Sequence, residues 1–269
     1  MVQLSPPKAN LEENNFGKRV LSTAIAGPIA VGAVIFGFPY IDILAAILSG
    51  ILLWEWSRMS GLPLSHPMNG MVAALLGWAM VGSSTLLVPL CIIGIGVLYT
   101  LFYHYQLGAR FIPSLILLSG PLYIGLGMVA NLSLAKLTPL TLLWALLIVW
   151  TTDTGAYVIG SLLGGPKLVP RISPGKTWSG FMGGSILGTA LGVSLAPTCQ
   201  IDIPNPIFLF FLTLMITFVG HTGDILESAA KRLFKVKDSS HIIPGHGGLL
   251  DRMDSLLLVG LFIIILKFF

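Results

Sequence analysis

Two stretches of this 269-residue sequence hold most of its polar chemistry: 160–177, GSLLGGPKLVPRISPGKT, and 224–252, DILESAAKRLFKVKDSSHIIPGHGGLLDR. Together they carry 8 of the 15 lysines and arginines, so chemistry on anions is to be sought there. Asp153, Asp224, Asp251 and Asp254 lie in or beside apolar segments. An ionised side chain there costs about 2.5–3.5 kcal/mol on insertion scales and points to function by default. Carboxylate oxygens suit a hard cation such as Mg²⁺, so these four aspartates are the candidate metal ligands. Asp251 and Asp254, three residues apart, share a helix face. If the helix that reaches Asp224 continues, Asp224, Glu227, Ser228 and Lys231 also share a face. The plainer alternatives are capping of a helix by Asp251 and a basic anchor on anionic lipid made by Lys231, Arg232, Lys235 and Lys237. Asp42 is unassigned, and Glu55, beside Arg58, reads as half of a structural ion pair.

Gly245-His246-Gly247-Gly248 precedes a helix expected to begin near Asp251. Glycines let successive N–H groups turn inward, and a helix N-terminus adds partial positive charge, so the loop suits phosphate oxygens. Ser173-Pro174-Gly175-Lys176-Thr177 invites comparison with a P-loop, but Pro170 stands where GxxxxGK[ST] requires glycine. Lys176 and Thr177 at a helix start, with Lys167 and Arg171 nearby, remain candidates for holding phosphate. There is no Ser/His/Asp nucleophile order. Acidic metal-type groups beside basic and glycine-rich phosphate-type groups fit phosphoryl or nucleotidyl transfer.

The elements that carry these residues must be membrane helices. Hydrophobic residues make up 55% of the chain and charged residues 10%, and mean hydropathy is +0.89. A soluble domain is about 25% charged. Residues 59–109 contain no charge, nor do 20–41, 111–135, 177–201 and 203–223. A helix crossing the hydrocarbon needs roughly 20 apolar residues. Nine spans are expected, near 20–38, 41–58, 68–83, 85–105, 111–130, 138–160, 177–196, 206–224 and 252–268. With the N-terminus in the cytoplasm, thirteen of the fifteen Lys and Arg fall inside and only Lys136 and Lys267 outside, as the positive-inside rule requires. The expected architecture is an all-α integral membrane protein of one domain, 20–269, with a catalytic region at 150–255. Residues 1–19 form a cytoplasmic or interfacial segment, where Asn10 and Glu13 resemble a capping box. Cys91 and Cys199 read as buried thiols without a redox role.

The run Ser228-x-x-Lys231-Arg232-x4-Lys237-Asp238-x-Ser240, followed by Pro244-x-His246-Gly247-Gly248-Leu249-x-Asp251-Arg252-Met253-Asp254, closely resembles the signature of the bacterial-type phosphatidate cytidylyltransferases, or CDP-diacylglycerol synthases. Asp153-Thr154-Gly155-Ala156-Tyr157 and Ser173-Pro174-x-Lys176-Thr177 resemble two further family segments. Departures are Ala230 for a larger apolar residue, Gly175 for a frequent lysine and Ser179 for a frequent glutamate. The resemblance implies Mg²⁺-dependent transfer, with one ion or two, from CTP to phosphatidic acid, giving CDP-diacylglycerol and pyrophosphate for phospholipid biosynthesis. It implies Asp224, Asp251, Lys231, Arg232, Lys237 and Asp238 as catalytic. Lys167, Arg171, Ser173, Lys176, Thr177, His246, Gly247, Gly248 and Arg252 would bind substrate. The expected setting is the inner cell membrane among its lipids, with the site facing the cytoplasm, no nucleic-acid partner, and a homodimer as one available assembly. Alternatives are another CTP-dependent lipid kinase or transferase, or a cation or organophosphate transporter, which would place polar groups at the bilayer midplane.

Overall fold

The computed structural model describes residues 22, 24–81, 87–108, 111–243 and 247–268. The expected interfacial segment with Asn10 and Glu13, the basic residues Lys8, Lys18, Arg19 and Arg110, and His246 lie outside them. The described residues form nine helices, one over each expected span. These are α1 (Ala24–Phe36), α2 (Tyr40–Ser60), α3 (Pro67–Val81), α4 (Leu87–Gln106), α5 (Phe111–Leu137), α6 (Pro139–Leu163), α7 (Trp178–Leu195), α8 (Pro206–Leu233) and α9 (Leu250–Phe268). Four stretches, Tyr40–Ser60, Leu115–Leu137, Pro139–Leu163 and Pro206–Leu233, are long and apolar enough to cross a membrane. The protein is a helical membrane protein. Its departure from all-α is a two-stranded antiparallel ribbon, β1 (Lys167–Val169) and β2 (Ser173–Thr177), with Lys167 opposite Thr177 and Val169 opposite Ser173.

Local chemistry sets the helix boundaries. Pro139 opens α6 in its first turn, where its missing N–H is no loss. The Asn205 side chain accepts from the N–H groups of Ile207 and Phe208, at 2.9 and 3.2 Å, and caps α8. α8 runs past the expected end at 224 to Leu233, so the Asp224–Lys231 face is a continuous helical stripe.

Leu52, Ile124, Trp144, Ile148, Ile216 and Leu257 are fully buried among the helices. The most extensive contact is between α6 and α7, and small residues make it possible. A Cβ on Gly184 would lie 2.5 Å from the Thr152 carbonyl, and one on Gly180 2.6 Å from that of Ala156. Trp144 Nε1 donates to the Gly192 carbonyl at 2.7 Å across the same interface. α9 is held from two sides. From α5, Tyr123 donates its hydroxyl proton to the Asp254 carbonyl, and Asn131 Nδ2 donates to the Leu256 carbonyl at 3.1 Å. From α8, Gly223 sits where a Cβ would be 2.7 Å from the Asp254 carbonyl. The start of α9 is thereby fixed against the acidic part of α8. At the far end of the bundle Lys136 pairs with Asp42 at 2.7 Å. Cys199 is buried as expected, but Cys91 is exposed, because its position on α4 faces away from the packed helices.

Candidate active site

The end of α8, the start of α9, the middle of α6 and the β1–β2 ribbon converge on one polar cluster. Within α8, Lys231 lies 2.5 Å from Glu227, its i−4 neighbour. The same ammonium donates to Asp251 Oδ1, so one lysine joins α8 to α9. Asp251 Oδ2 accepts from the Gly248 N–H at 2.9 Å and the Ser239 N–H at 3.3 Å, with the Ser239 hydroxyl 3.0 Å away. The Asp251 carboxylate thus organises the loop that precedes its own helix, through Gly248 and Ser239, rather than capping α9. Asp224 pairs with Lys176 of β2 at 2.6 Å, and Ser228 Oγ lies 3.5 Å from Asp224 Oδ1.

Asp254 is buried and accepts from the Ser255 N–H at 2.7 Å. It lies within Coulombic reach of Asp224, Glu227 and Asp153. Asp153 is likewise within reach of Asp224, Lys176 and Arg252. The four candidate metal ligands thus occupy one neighbourhood together with Glu227.

The remaining candidates are placed differently. Thr177 caps α7, accepting from the Gly180 N–H at 3.1 Å, and its hydroxyl lies 3.0 Å from that of Ser179. Ser179 in turn donates to the Gly164 carbonyl, which gives the residue found in place of glutamate a structural partner. Arg232 spends Nε on the Ile172 carbonyl at 3.0 Å and one Nη on the Val236 carbonyl at 3.1 Å, tying the ribbon to the end of α8. Lys167, Arg171, Lys237 and Asp238 are exposed, and Ser173 lies in β2 facing Val169. Gly247 has φ +88°, a conformation that L side chains rarely adopt, and a Cβ there would lie 3.1 Å from Asp251 Oδ2.

Glu55 corrects the sequence reading. It is no ion-pair partner of Arg58, whose guanidinium stacks 5.6 Å from the Trp54 ring. Glu55 instead accepts from the Leu249 N–H at 2.8 Å, the Leu250 N–H at 2.6 Å and the Ser240 hydroxyl. The sequence signal that could have found it is an acid inside an otherwise apolar helix.

Beside the cluster lies a cavity of about 850 Å³ between α1, α2, α5, α6 and the start of α9. Its walls are aliphatic, with residues such as Ile29, Leu48, Leu132 and Leu146, while Asp153, Thr154, Asp251 and Arg252 belong to the same lining. An apolar chamber thus adjoins the charged groups.

Among the described residues no three His, Cys, Asp or Glu side chains are drawn together as a ready metal site. The donor set nonetheless fits a hard cation. Asp153, Asp224, Glu227, Asp251 and Asp254 supply five carboxyl groups against Lys176, Lys231 and Arg252. Carboxylate oxygen is the ligand type a hard divalent ion prefers.

This is a helical membrane protein with a carboxylate–ammonium centre at one end of its bundle and an apolar chamber beside that centre. The model of the cytidylyltransferase family matches residues 17–269. A phosphatidate cytidylyltransferase of Bacillus subtilis is 33% identical over 258 residues, covering 90% of this chain and 94% of that protein. Phosphatidate cytidylyltransferases of Staphylococcus epidermidis and Staphylococcus aureus are 51% and 49% identical over 119 residues, 44% of this chain and 45% of each. The chain belongs to the cytidylyltransferase family.

Proposed function

We propose that this protein transfers the cytidylyl group of CTP to phosphatidic acid, releasing pyrophosphate and leaving CDP-diacylglycerol in the membrane. The activity named for the Bacillus subtilis relative supports this reading. The observation that carries it is the pairing of the carboxylate–lysine cluster with the aliphatic cavity that shares Asp153, Asp251 and Arg252 with it. A substrate with acyl chains and a phosphate head needs both environments in contact.

A phosphatidate oxygen attacks the α-phosphorus of CTP, a P–O bond forms there, and the bond to the β,γ-pyrophosphate breaks. A phosphomonoester has a second pKa near 6 and carries about −1.5 charge or more at neutral pH, so the nucleophile needs no strong base. The obstacle is the approach of two anions. Lys176, Lys231 and Arg252 are the cations placed to offset that charge. Lys176 leaves Asp224 for a triphosphate or head-group oxygen, and Lys231 holds Asp251 in place. Asp224 and Asp251 are the residues that would hold Mg²⁺, with Asp254 and Asp153 behind them. When bound, the ion supplies Lewis-acid neutralisation of phosphate charge.

The site end of the bundle faces the cytoplasm in this reading, since thirteen of the fifteen Lys and Arg fall on that side. The membrane is the inner, or cell, membrane, where CTP is available.

Purified protein in detergent, given labelled CTP, Mg²⁺ and phosphatidic acid, should form a lipid-linked cytidylyl product and pyrophosphate in equal amounts. No product with phosphatidic acid, or labelling of a different lipid acceptor in its place, would refute the assignment.

A further inference from the structure

Glu55 lies near the end of α2 and is fully buried. A buried carboxylate persists when its oxygens are hydrogen-bonded, and every partner of Glu55 is a donor. Oε1 takes the Leu249 N–H at 2.8 Å and the Ser240 hydroxyl; Oε2 takes the Leu250 N–H at 2.6 Å. Leu249 and Leu250 are at the start of α9, where N–H groups have no partner within the helix. The Ser239 hydroxyl lies 3.2 Å from Glu55 Oε2 and 3.0 Å from Asp251 Oδ2, so it stands between the two carboxylates and can donate its one proton to either. A Cβ on Gly248 would come within 2.7 Å of Glu55 Oε1, so the loop backbone lies directly on this carboxylate.

We propose that Glu55 is a positioning residue for the transfer reaction: from α2 it clamps both ends of the loop, 239–240 and 249–250, and so holds Asp251 beside Lys231. The inference rests on the proposed function, because Asp251 matters as a ligand only if the site works as described above. Glu55 itself touches no reacting atom. A purely structural buried acid would affect how much protein folds. A clamp alters the affinity of the site for its cation in the protein that does fold.

The experiment compares wild type, Glu55→Gln and Ser240→Ala, each purified in detergent. Glu55→Gln keeps the size but turns one acceptor into a donor facing backbone N–H groups. Ser240→Ala removes one clamp contact from the loop side. Mn²⁺ binding is read by electron paramagnetic resonance without substrates, and the half-saturating Mg²⁺, KM for CTP and kcat are read by turnover. Loss of a hydrogen-bonding partner behind a metal ligand weakens metal affinity about 10–100-fold. Glu55→Gln should show a loss of that size in Mn²⁺ affinity and half-saturating Mg²⁺, with kcat largely regained at high Mg²⁺. Ser240→Ala should move the same quantities in the same direction by less. Unmoved half-saturation and Mn²⁺ affinity in variants of an active wild type would overturn the clamp. If Glu55→Gln does not fold, an unmoved Ser240→Ala overturns it. A wild type without turnover refutes the proposed reaction, and the clamp with it.

Discussion

Replacing Lys231 by glutamine removes the ammonium that neutralises Glu227 and Asp251 together. The side chains of Lys231, Glu227 and Asp251 are only 11%, 2% and 11% exposed, so water does not screen what is left behind. Removing one partner of such a buried pair destabilises a protein by about 3–5 kcal/mol, because an uncompensated charge remains. The geometry therefore predicts a folding cost in addition to loss of turnover. Adding Glu227→Gln to Lys231→Gln removes one stranded charge and should recover about 0.5–3 kcal/mol, since residues in contact couple, while turnover stays absent. Unfolding of the purified variants in detergent measures the first effect, and transfer from labelled CTP the second. A loss below about 1 kcal/mol, the range of solvent-exposed pairs, would refute the reasoning, as would a double variant that regains turnover.

Lys176→Gln should behave differently: its pair with Asp224 is 21% and 34% exposed, so stability should change by less than about 1 kcal/mol while KM or kcat suffers, as measured by thermal unfolding beside turnover. Gly184→Ala forces a Cβ to within 2.5 Å of the Thr152 carbonyl, so α6 and α7 must separate; unfolding should register a loss of about 1–3 kcal/mol, as for an overpacked core. A cysteine introduced as Gly165→Cys should react with membrane-impermeant reagents only after cells are opened; labelling of intact cells would reverse the proposed orientation.

Much of this architecture was legible because charge is expensive in lipid. The charge-free run 59–109 carries two helices, α3 and α4, and each of the other runs carries one. The ends were less legible, since α8 stays helical beyond the apolar run to Leu233, where Glu227, Ser228, Lys231 and Arg232 continue the helix on its site side. The stripe Asp224, Glu227, Ser228 and Lys231 could be read from spacing alone once α8 was allowed to continue. The β1–β2 ribbon could not be foreseen, because Ser173–Thr177 contains proline and glycine and has only Thr177 as a strand-forming residue. Thr177 was expected among the phosphate-binding groups, whereas its hydroxyl caps α7, a use that Ser and Thr before a helix commonly have. Two links were beyond any local pattern. Lys176 meets Asp224 across 48 positions of sequence. Glu55 meets Leu250 across 195, and its nearness to Arg58 in sequence suggested the wrong partner.

The most direct test of the central claim is transfer from labelled CTP to phosphatidic acid, followed over a range of Mg²⁺, by Asp224→Asn, Asp251→Asn and the double variant. Asparagine keeps the size and removes the charge. Each single variant should lose formation of the lipid-linked product, and the double variant should be no worse than either, because groups that act as one unit are not additive. Near-normal turnover of either single variant at limiting Mg²⁺ would contradict the account and move the ligand assignment away from that residue, first to Asp153.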